Sequence, residues 1–286
     1  MQPTGACIDA QDISDAAGQR LRITIPGSPR KERSWRTTTA PKEKGIWISG
    51  INPVREALRS ESQNPEELVL ARTDPRGREL EELALPRGIP VRRGTREQVS
   101  ALAGHAHHQG AVLKIREYPY TDIDTLLQEP LARREPLVAL DSIQDPQNLG
   151  AILRSACFLG IQGVIIPRDR SAPVSAAVIK IAAGATSYIP VVQITNLSRA
   201  LKQLKEAGYW VAGLDVSGAK TLYEADLTAP LCLLVGNEQK GIRPLVKSEC
   251  DMLVKIPAIG PLQSLNAATA AAIGMAEIVR QRQRKS

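Results

Sequence analysis

The chain has 286 residues, of which 43% are hydrophobic and 23% charged, so it is long and apolar enough to bury one large core or two ordinary ones. Aromatic residues make up only 3% of the chain, so we expect an aliphatic core and no row of aromatic side chains for stacking bases. The formal net charge of +7 is a mild indication of a polyanionic partner such as nucleic acid, although many proteins without such a partner are equally basic.

Membrane spans, secretion and cysteine chemistry are all disfavoured. No apolar run approaches the roughly 18 residues of a membrane helix, and the N-terminus lacks the basic-then-apolar pattern of a secretory signal. The four cysteines are scattered without C-x-x-C spacing, which argues against a disulfide framework or a cysteine-based zinc site. We therefore expect a cytoplasmic protein without a membrane partner.

The first 116 residues divide into a tail and a small domain. Residues 1–44 lack sustained periodicity and predict a disordered, mildly basic tail. A mitochondrial transit peptide is a weaker interpretation, because the segment contains acidic residues. Over residues 45–116, apolar strands alternate with helices, the first helix being capped at Asn52 and the last one covering 96–103. This pattern predicts a small α/β domain.

A second and longer alternation follows a polar break. Residues 117–136 are interpreted as an interdomain linker, with a short helix over 122–128. From residue 137 to the C-terminus the strands are continuous apolar runs, as expected when helices cover both faces of a parallel sheet. The fold class is thus α/β, with an open, mostly parallel sheet in residues 137–286. Ligands of such sheets bind at the carboxyl ends of the strands.

Common nucleotide and hydrolase motifs are absent from the sequence. There is no G-x-G-x-x-G after the first strand of the second domain, no P-loop and no G-x-S-x-G elbow. The three histidines, His105, His107 and His108, lie in one loop without a nearby carboxylate or thiol. We therefore expect no metal site.

Three polar segments follow strands of the second domain, at 141–154, 236–241 and 256–266. Each has a simple structural explanation: Arg154 as a surface arginine of a helix capped near Asn148, the second segment as a solvated turn, and Ser264 or Asn266 as a helix cap. The functional alternative is that the glycines let the backbone approach a ligand.

In this order and spacing the three segments resemble the signature motifs of the SpoU-type 2′-O-ribose methyltransferases of the SPOUT superfamily. The first matches D-x-x-x-D-P-x-N-x-G-x-x-x-R, the second G-x-E-x-x-G and the third I-P-x-x-G-x-x-x-S-L-N. Upstream, G-I-N-P-V-R-E-A-L at 50–58 and H-Q-G at 108–110 resemble the N-terminal RNA-binding domain of the ribosomal-RNA branch. The resemblance thus covers residues 137 to about 280 and extends upstream to these two segments.

The resemblance implies a C-terminal trefoil knot, S-adenosylmethionine as the cofactor, an RNA substrate and a homodimer with the active site near the subunit interface. By position, the cofactor contacts are Gly236, Ile256 and Leu265, and the catalytic set is Asn148, Arg154, Glu238, Ser264 and Asn266. The resemblance assigns Arg154 as the base that activates the ribose hydroxyl. Because a guanidinium is almost always protonated, a role in binding phosphate or stabilising developing charge is the alternative.

Three functions remain open on the sequence. Methylation of a guanosine in large-subunit ribosomal RNA is favoured, because the domain at 45–116 is often missing from the transfer-RNA branch. A transfer-RNA ribose methyltransferase is the alternative within the class. A catalytically silent RNA-binding or ribosome-assembly factor is the alternative outside it, and the intact catalytic set argues against that.

Overall fold

The computed structural model describes residues 45–128, 135–262 and 264–284 of the chain. The tail predicted over residues 1–44 and part of the predicted linker lie outside these residues. The described residues all fall in one compact unit, Glu43–Ser286. None of the described helices is long and apolar enough to cross a bilayer.

The N-terminal part of the described chain forms a four-stranded sheet with the order β1-β4-β2-β3. β4 pairs antiparallel with both β1 and β2, and β3 pairs parallel with β2. The strands are β1 (Ile46–Ser49), β2 (Pro65–Leu70), β3 (Val91–Arg93) and β4 (Ala111–Ile115), and the helices between them are α1 (Ile51–Arg59), α2 (Pro75–Ala84) and α3 (Arg96–Ala103). We refer to residues 45–116 as the N-terminal subdomain.

The prediction that Asn52 caps α1 is wrong. The N-cap is Gly50, with a φ of 99° that favours glycine, and its side chain cannot accept a hydrogen bond. The Gln109 side chain takes over that role from another loop, its Oε1 accepting from Ile51 N at 2.9 Å. A contact 58 positions away in sequence therefore fixes the start of this helix.

The C-terminal part of the described chain forms a seven-stranded sheet with the order β7-β6-β5-β10-β8-β11-β9. Every pairing in it is parallel, which confirms the predicted open α/β sheet. The strands are β5 (Leu137–Leu140), β6 (Gly163–Pro167), β7 (Val191–Ile194), β8 (Trp210–Leu214), β9 (Lys220–Thr221), β10 (Leu231–Val235) and β11 (Met252–Lys255). The trefoil knot stays a prediction.

Helices cover both faces of this sheet, as the continuous apolar strands predict. The helices are α4 (Ile123–Leu127), α5 (Pro146–Phe158), α6 (Ala176–Ala182), α7 (Leu197–Glu206), α8 (Pro244–Lys247) and α9 (Ala267–Gln283). One buried cluster joins α5, α6 and α9 to one face, and a second joins α7 and α8 to the other. Gly150 brings α5 against α6, since a Cβ there would lie 2.6 Å from the Cβ of Ile181.

The predicted start of α5 is also wrong. The sequence suggested a cap near Asn148, but the helix begins at Pro146 and Asp145 caps it by accepting from Gln147 N at 2.9 Å. Proline suits the first helical position because that residue needs no N–H donor. The buried Asn148 consequently lies inside the first turn, where its side chain is available for tertiary contacts.

The segment after β4 packs onto the second sheet. Tyr118 is buried, and its hydroxyl donates to Thr186 O at 3.2 Å. The Tyr120 hydroxyl accepts from Val174 N at 2.9 Å, and Thr121 forms a parallel bridge to β7. These contacts attach the N-terminal subdomain to the sheet that carries the cleft described below.

Candidate active site

A cleft of about 730 Å³ opens at the carboxyl ends of β8, β10 and β11. This is the sheet edge at which ligands of open parallel sheets bind. Its floor is apolar, formed by Leu214, Val235, Ala267 and Ala270. The residues proposed from sequence that line it are Gly236, Glu238, Ile256, Ser264 and Leu265.

The loop after β10 forms one wall of the cleft and turns tightly. Asn237 N donates to Gly241 O at 3.1 Å, and Gly241 N donates back to Asn237 O at 2.8 Å. A Cβ on Gly236 would lie 2.4 Å from the carbonyl carbon of Gly241 and 2.5 Å from Ile242 N. Only glycine therefore fits at position 236 without moving backbone. We call residues 236–241 the cofactor loop.

An ion pair anchors the cofactor loop to β5. Asp141 is fully buried, and its two carboxylate oxygens accept from Arg243 N at 2.8 Å and from Arg243 Nε at 2.7 Å. Asn237 Nδ2 adds a hydrogen bond to Ser142 O at 3.0 Å. Sequence reasoning missed Arg243. The available signal was Asp141 itself, because a carboxylate directly after a buried strand requires a cationic or N–H partner.

A second set of hydrogen bonds joins three of the predicted catalytic residues at the mouth of the cleft. Glu238 Oε1 accepts from Asn148 Nδ2 at 2.6 Å, from Asn266 Nδ2 at 2.6 Å and from Ala267 N at 3.2 Å. Asn266 Nδ2 also lies 2.9 Å from Asn148 Oδ1. These contacts connect α5, the cofactor loop and α9. We call Asn148, Glu238 and Asn266 the polar triad.

Asn266 also caps α9, as one of the sequence interpretations proposed. Its Oδ1 accepts from Ala268 N at 2.9 Å and from Thr269 N at 3.3 Å. Both ends of its amide are thus engaged within the chain. Glu238 Oε2, in contrast, has no hydrogen-bond partner among the described residues, so it is the triad atom most available to a ligand.

Arg154 and Ser264 do not join this network. Arg154 is exposed on α5, about two turns from the helix start, and makes no hydrogen bond or ion pair with the described part of the chain. Ser264 is exposed on the cleft wall and likewise has no partner within the described ranges. Both side chains are therefore free to meet a ligand.

A charged pair borders the cleft at the end of β8. Asp215 lies 3.0 Å from Lys247 Nζ, and its Oδ1 accepts from the Ser217 hydroxyl at 2.6 Å. Burial by itself would raise the pKa of Asp215, but the hydrogen bonds from Ser217 and Lys247 outweigh it and hold that pKa below its ordinary value. The Asp215 carboxylate therefore stays ionised at neutral pH.

These features fit S-adenosylmethionine. The cleft volume is within the range of sites for ligands of that size, and its apolar floor suits an adenine ring. The tight glycine loop exposes backbone groups that can hydrogen-bond the cofactor. By position, the backbones of Gly236, Ile256 and Leu265 are the groups that would hold it.

Comparisons with known proteins agree with this geometry. The SpoU rRNA methylase family profile matches residues 135–276, and the profile described as RNA 2′-O ribose methyltransferase substrate binding matches residues 47–121. The RlmB protein of Xanthomonas axonopodis pv. citri, named a 23S rRNA (guanosine-2′-O-)-methyltransferase, is 39% identical over 241 residues, covering 82% of this chain and 96% of that relative. The chain belongs to the SpoU methylase family. A relative in Mycolicibacterium smegmatis, named an uncharacterized tRNA/rRNA methyltransferase, is 43% identical to this SpoU protein over 239 residues, covering 82% of this chain and 76% of the relative.

A solved structure supports the same fold and cofactor for this SpoU protein. The SpoU methyltransferase AviRb from Streptomyces viridochromogenes, in complex with AdoMet, superposes with a TM-score of 0.72 at 26% identity, covering 84% of this chain and 91% of that one. The chain is an RNA 2′-O-methyltransferase that uses S-adenosylmethionine.

Proposed function

We propose that this SpoU enzyme methylates the ribose 2′-oxygen of a guanosine in 23S ribosomal RNA. The observation that carries the proposal is the polar triad at the mouth of the cleft, which connects all three sequence motifs at one point. The alignment with the Xanthomonas relative spans 96% of that protein, so it includes both the methyltransferase region and the N-terminal subdomain.

The cofactor supplies a methyl group on a sulfonium centre that is already activated, so this chain's residues need only bind, align and balance charge. The backbones of Gly236, Ile256 and Leu265, which line the cleft, would hold the cofactor there. Glu238 and Asn266 act as positioning residues, because they fix the first turn of α5 through Asn148. Ser264 on the cleft wall is free to hydrogen-bond the incoming nucleotide.

Arg154 is the group we assign to the reacting ribose and its phosphate. Its side chain has no partner among the described residues, and a planar guanidinium can hold a phosphate with two parallel hydrogen bonds. Part of the rate enhancement comes from aligning the ribose hydroxyl with the methyl group. A further part comes from stabilising the charge that develops on the 2′-oxygen in the transition state. Because a guanidinium seldom gives up its proton, we assign Arg154 to charge stabilisation rather than to proton removal, and the proton of the 2′-hydroxyl passes to water.

A homodimer is part of the proposal. Phe158 lies one turn after Arg154 on the same face of α5, and 88% of its surface is exposed. A second copy covering that face would bury this ring and bring its own surface close to Arg154. The proposal also includes the predicted trefoil knot, a cytoplasmic location for the protein and RNA binding by residues 45–116.

The substrate is tested with purified protein, S-adenosylmethionine and transcripts of 23S ribosomal RNA and transfer RNA. Ribose methylation makes the adjacent phosphodiester resistant to alkali, so alkaline ladders locate it, and nuclease digestion with mass spectrometry identifies the nucleoside. We expect one 2′-O-methylguanosine in the 23S transcript. Methylation of the transfer RNA alone, or of another nucleoside, would contradict the proposed substrate.

The role of Arg154 has its own test. Arg154→Ala should lower turnover by roughly 10²–10³-fold, the usual effect of losing a stabiliser of developing charge, while cofactor affinity stays within about twofold. Arg199→Ala, an exposed arginine of α7 on the opposite face of the sheet, is the matched control. Arg154→Lys should stay poorly active at every pH, because lysine lacks the planar fork. Activity that rises with pH in the lysine variant would instead support a proton acceptor.

A further inference from the structure

The segment that follows β6 extends from the rim of the active site. Ala172 N, five residues after the end of β6, donates to Ile143 O at 2.8 Å. Ile143 directly follows Ser142, whose carbonyl oxygen accepts from the side chain of Asn237 in the cofactor loop. The loop over residues 167–171, which we call the β6 loop, therefore lies beside the loops that carry the first two motifs.

The other end of the same segment reaches the N-terminal subdomain. Val174 N donates to the Tyr120 hydroxyl at 2.9 Å, just after the subdomain's last strand. Further on, α6 packs against β1, and Lys180 Nζ lies 3.3 Å from His105 Nε2. Residues 167–182 thus form a continuous connection within one chain, from the cleft to the subdomain that matches the substrate-binding family.

The β6 loop carries two arginines without partners. Arg168 and Arg170 are both exposed, and neither side chain makes a hydrogen bond or ion pair with the described residues. Asp169 between them is exposed and unpaired within the same ranges. The N-terminal subdomain differs, because many of its arginines are neutralised by carboxylates. Examples are Arg55, Arg72, Arg92, Arg93 and Arg116.

Backbone strain in the same loop points to a functional role. Arg170 has a φ of 61°, in the left-handed region that non-glycine residues seldom adopt. Such conformations cost about 1–3 kcal/mol and concentrate at functional sites. Beside it, the buried Ser171 hydroxyl has no hydrogen-bond partner among the described residues, although buried polar atoms are normally paired. The loop therefore contains a strained arginine and, next to it, a buried hydroxyl that no described residue pairs.

We propose that the β6 loop is a phosphate-binding track, in which Arg168 and Arg170 hold backbone phosphates of the RNA between the part bound by the N-terminal subdomain and the nucleotide in the cleft. The proposal depends on RNA being the substrate. An unpaired guanidinium is available to a phosphate, whereas one already paired with a carboxylate must first give up that partner. The two arginines are binding residues, and neither takes part in the chemical step.

The test compares Arg168→Ala, Arg170→Ala and the double variant with the parent, using a 23S transcript that contains the methylated site. The dissociation constant for RNA should rise about tenfold for each arginine, the equivalent of one charged hydrogen bond. The slope of log affinity against log salt should become shallower by about 0.7 per arginine, because each phosphate contact releases counterions from a single strand. Cofactor affinity and melting temperature should stay at parental values, because neither arginine lines the cleft.

Two controls separate a phosphate contact from a structural role. Arg284→Ala removes an exposed arginine at the end of α9, near the segment that precedes β10 and away from the β6 loop, and should leave the salt slope unchanged. Arg170→Lys keeps a point charge that binds phosphate, so it should restore most of the affinity that Arg170→Ala loses.

An unchanged salt slope in the double variant would overturn the track. So would a loss of RNA affinity accompanied by an equal loss of cofactor affinity or melting temperature. Failure of the parent to bind the 23S transcript would overturn the proposed substrate instead. The same titrations with the transfer-RNA transcript would then test whether Arg168 and Arg170 bind phosphates of that RNA.

Discussion

Replacing Gly236 with alanine tests whether the geometry of the cofactor loop controls cofactor binding. The added Cβ would lie 2.4–2.6 Å from three backbone atoms of Gly241 and Ile242, whereas non-bonded carbon atoms normally lie about 3.5–4.0 Å apart. The loop must therefore move outward by about 1 Å. Overpacking of this kind costs about 1–3 kcal/mol, so we expect cofactor affinity to fall by about 5–150-fold.

The same displacement should weaken the polar triad, because Glu238 belongs to the cofactor loop and its hydrogen bonds to α5 and α9 are only 2.6 Å long. Calorimetric titration with S-adenosylmethionine measures the affinity, and thermal unfolding reports whether the fold survives. Gly260→Ala is the matched control, since Gly260 also lines the cleft but a Cβ there would meet nothing within 4 Å. We expect that variant to bind within about twofold of the parent. A folded Gly236→Ala protein with parental affinity would refute the reasoning.

Two further predictions concern groups outside the cofactor contacts. Asp141→Asn should destabilise the fold by about 1–3 kcal/mol and weaken cofactor binding, because the new amide turns a donor towards the N–H groups of Arg243. Chemical denaturation measures the stability and calorimetric titration measures the cofactor affinity. A variant with the stability of the parent would contradict this prediction. Burial, followed by the charge of Lys180, lowers the pKa of His105 from 6.5, so its contribution to stability should be complete above pH 6.5 and be lost as the pH falls towards the lowered value. The free energy of unfolding, measured with urea between pH 7.5 and 5.5, should therefore fall less steeply with pH in His105→Asn than in the parent. A smaller pH dependence should remain in that variant, because the pKa of His108 is also lowered. An unchanged slope would show that His105 does not contribute.

Residues close together in the sequence were sufficient to predict many of the helices and strands. The helix predicted over residues 96–103 has those bounds in the structure, because Thr95 and Gln98 form a reciprocal capping box before it and Gly104 ends it in the left-handed conformation. All of the signals for this helix lie within ten residues. The start of α5 was predicted wrongly, near Asn148, whereas Asp145 is the cap and Pro146 is the first residue of the helix.

The active site could not be assembled from local pattern. Asn148 and Glu238 are 90 positions apart, and Asp141 and Arg243 are 102 apart. The hydrophobic pattern predicts each strand, but it does not predict the strand order β5-β10-β8. That order places the second motif, which follows β10, beside the first motif, which follows β5. Only the resemblance of the three motifs to a known family connected them, and it did not identify Arg243, which was not among the family's residues matched to this chain.

The double use of Asn266 makes closure of the polar triad depend on the folding of α9. Its side chain starts α9 and, through the same amide, connects that helix to Asn148 and Glu238. During synthesis the strands that form the cleft leave the ribosome before this last helix does. A nascent or prematurely terminated chain ending before residue 266 would have most of the cleft walls and lack the contact that closes the triad. The polar triad is therefore completed only when α9 folds, after the strands that form the cleft have been synthesised.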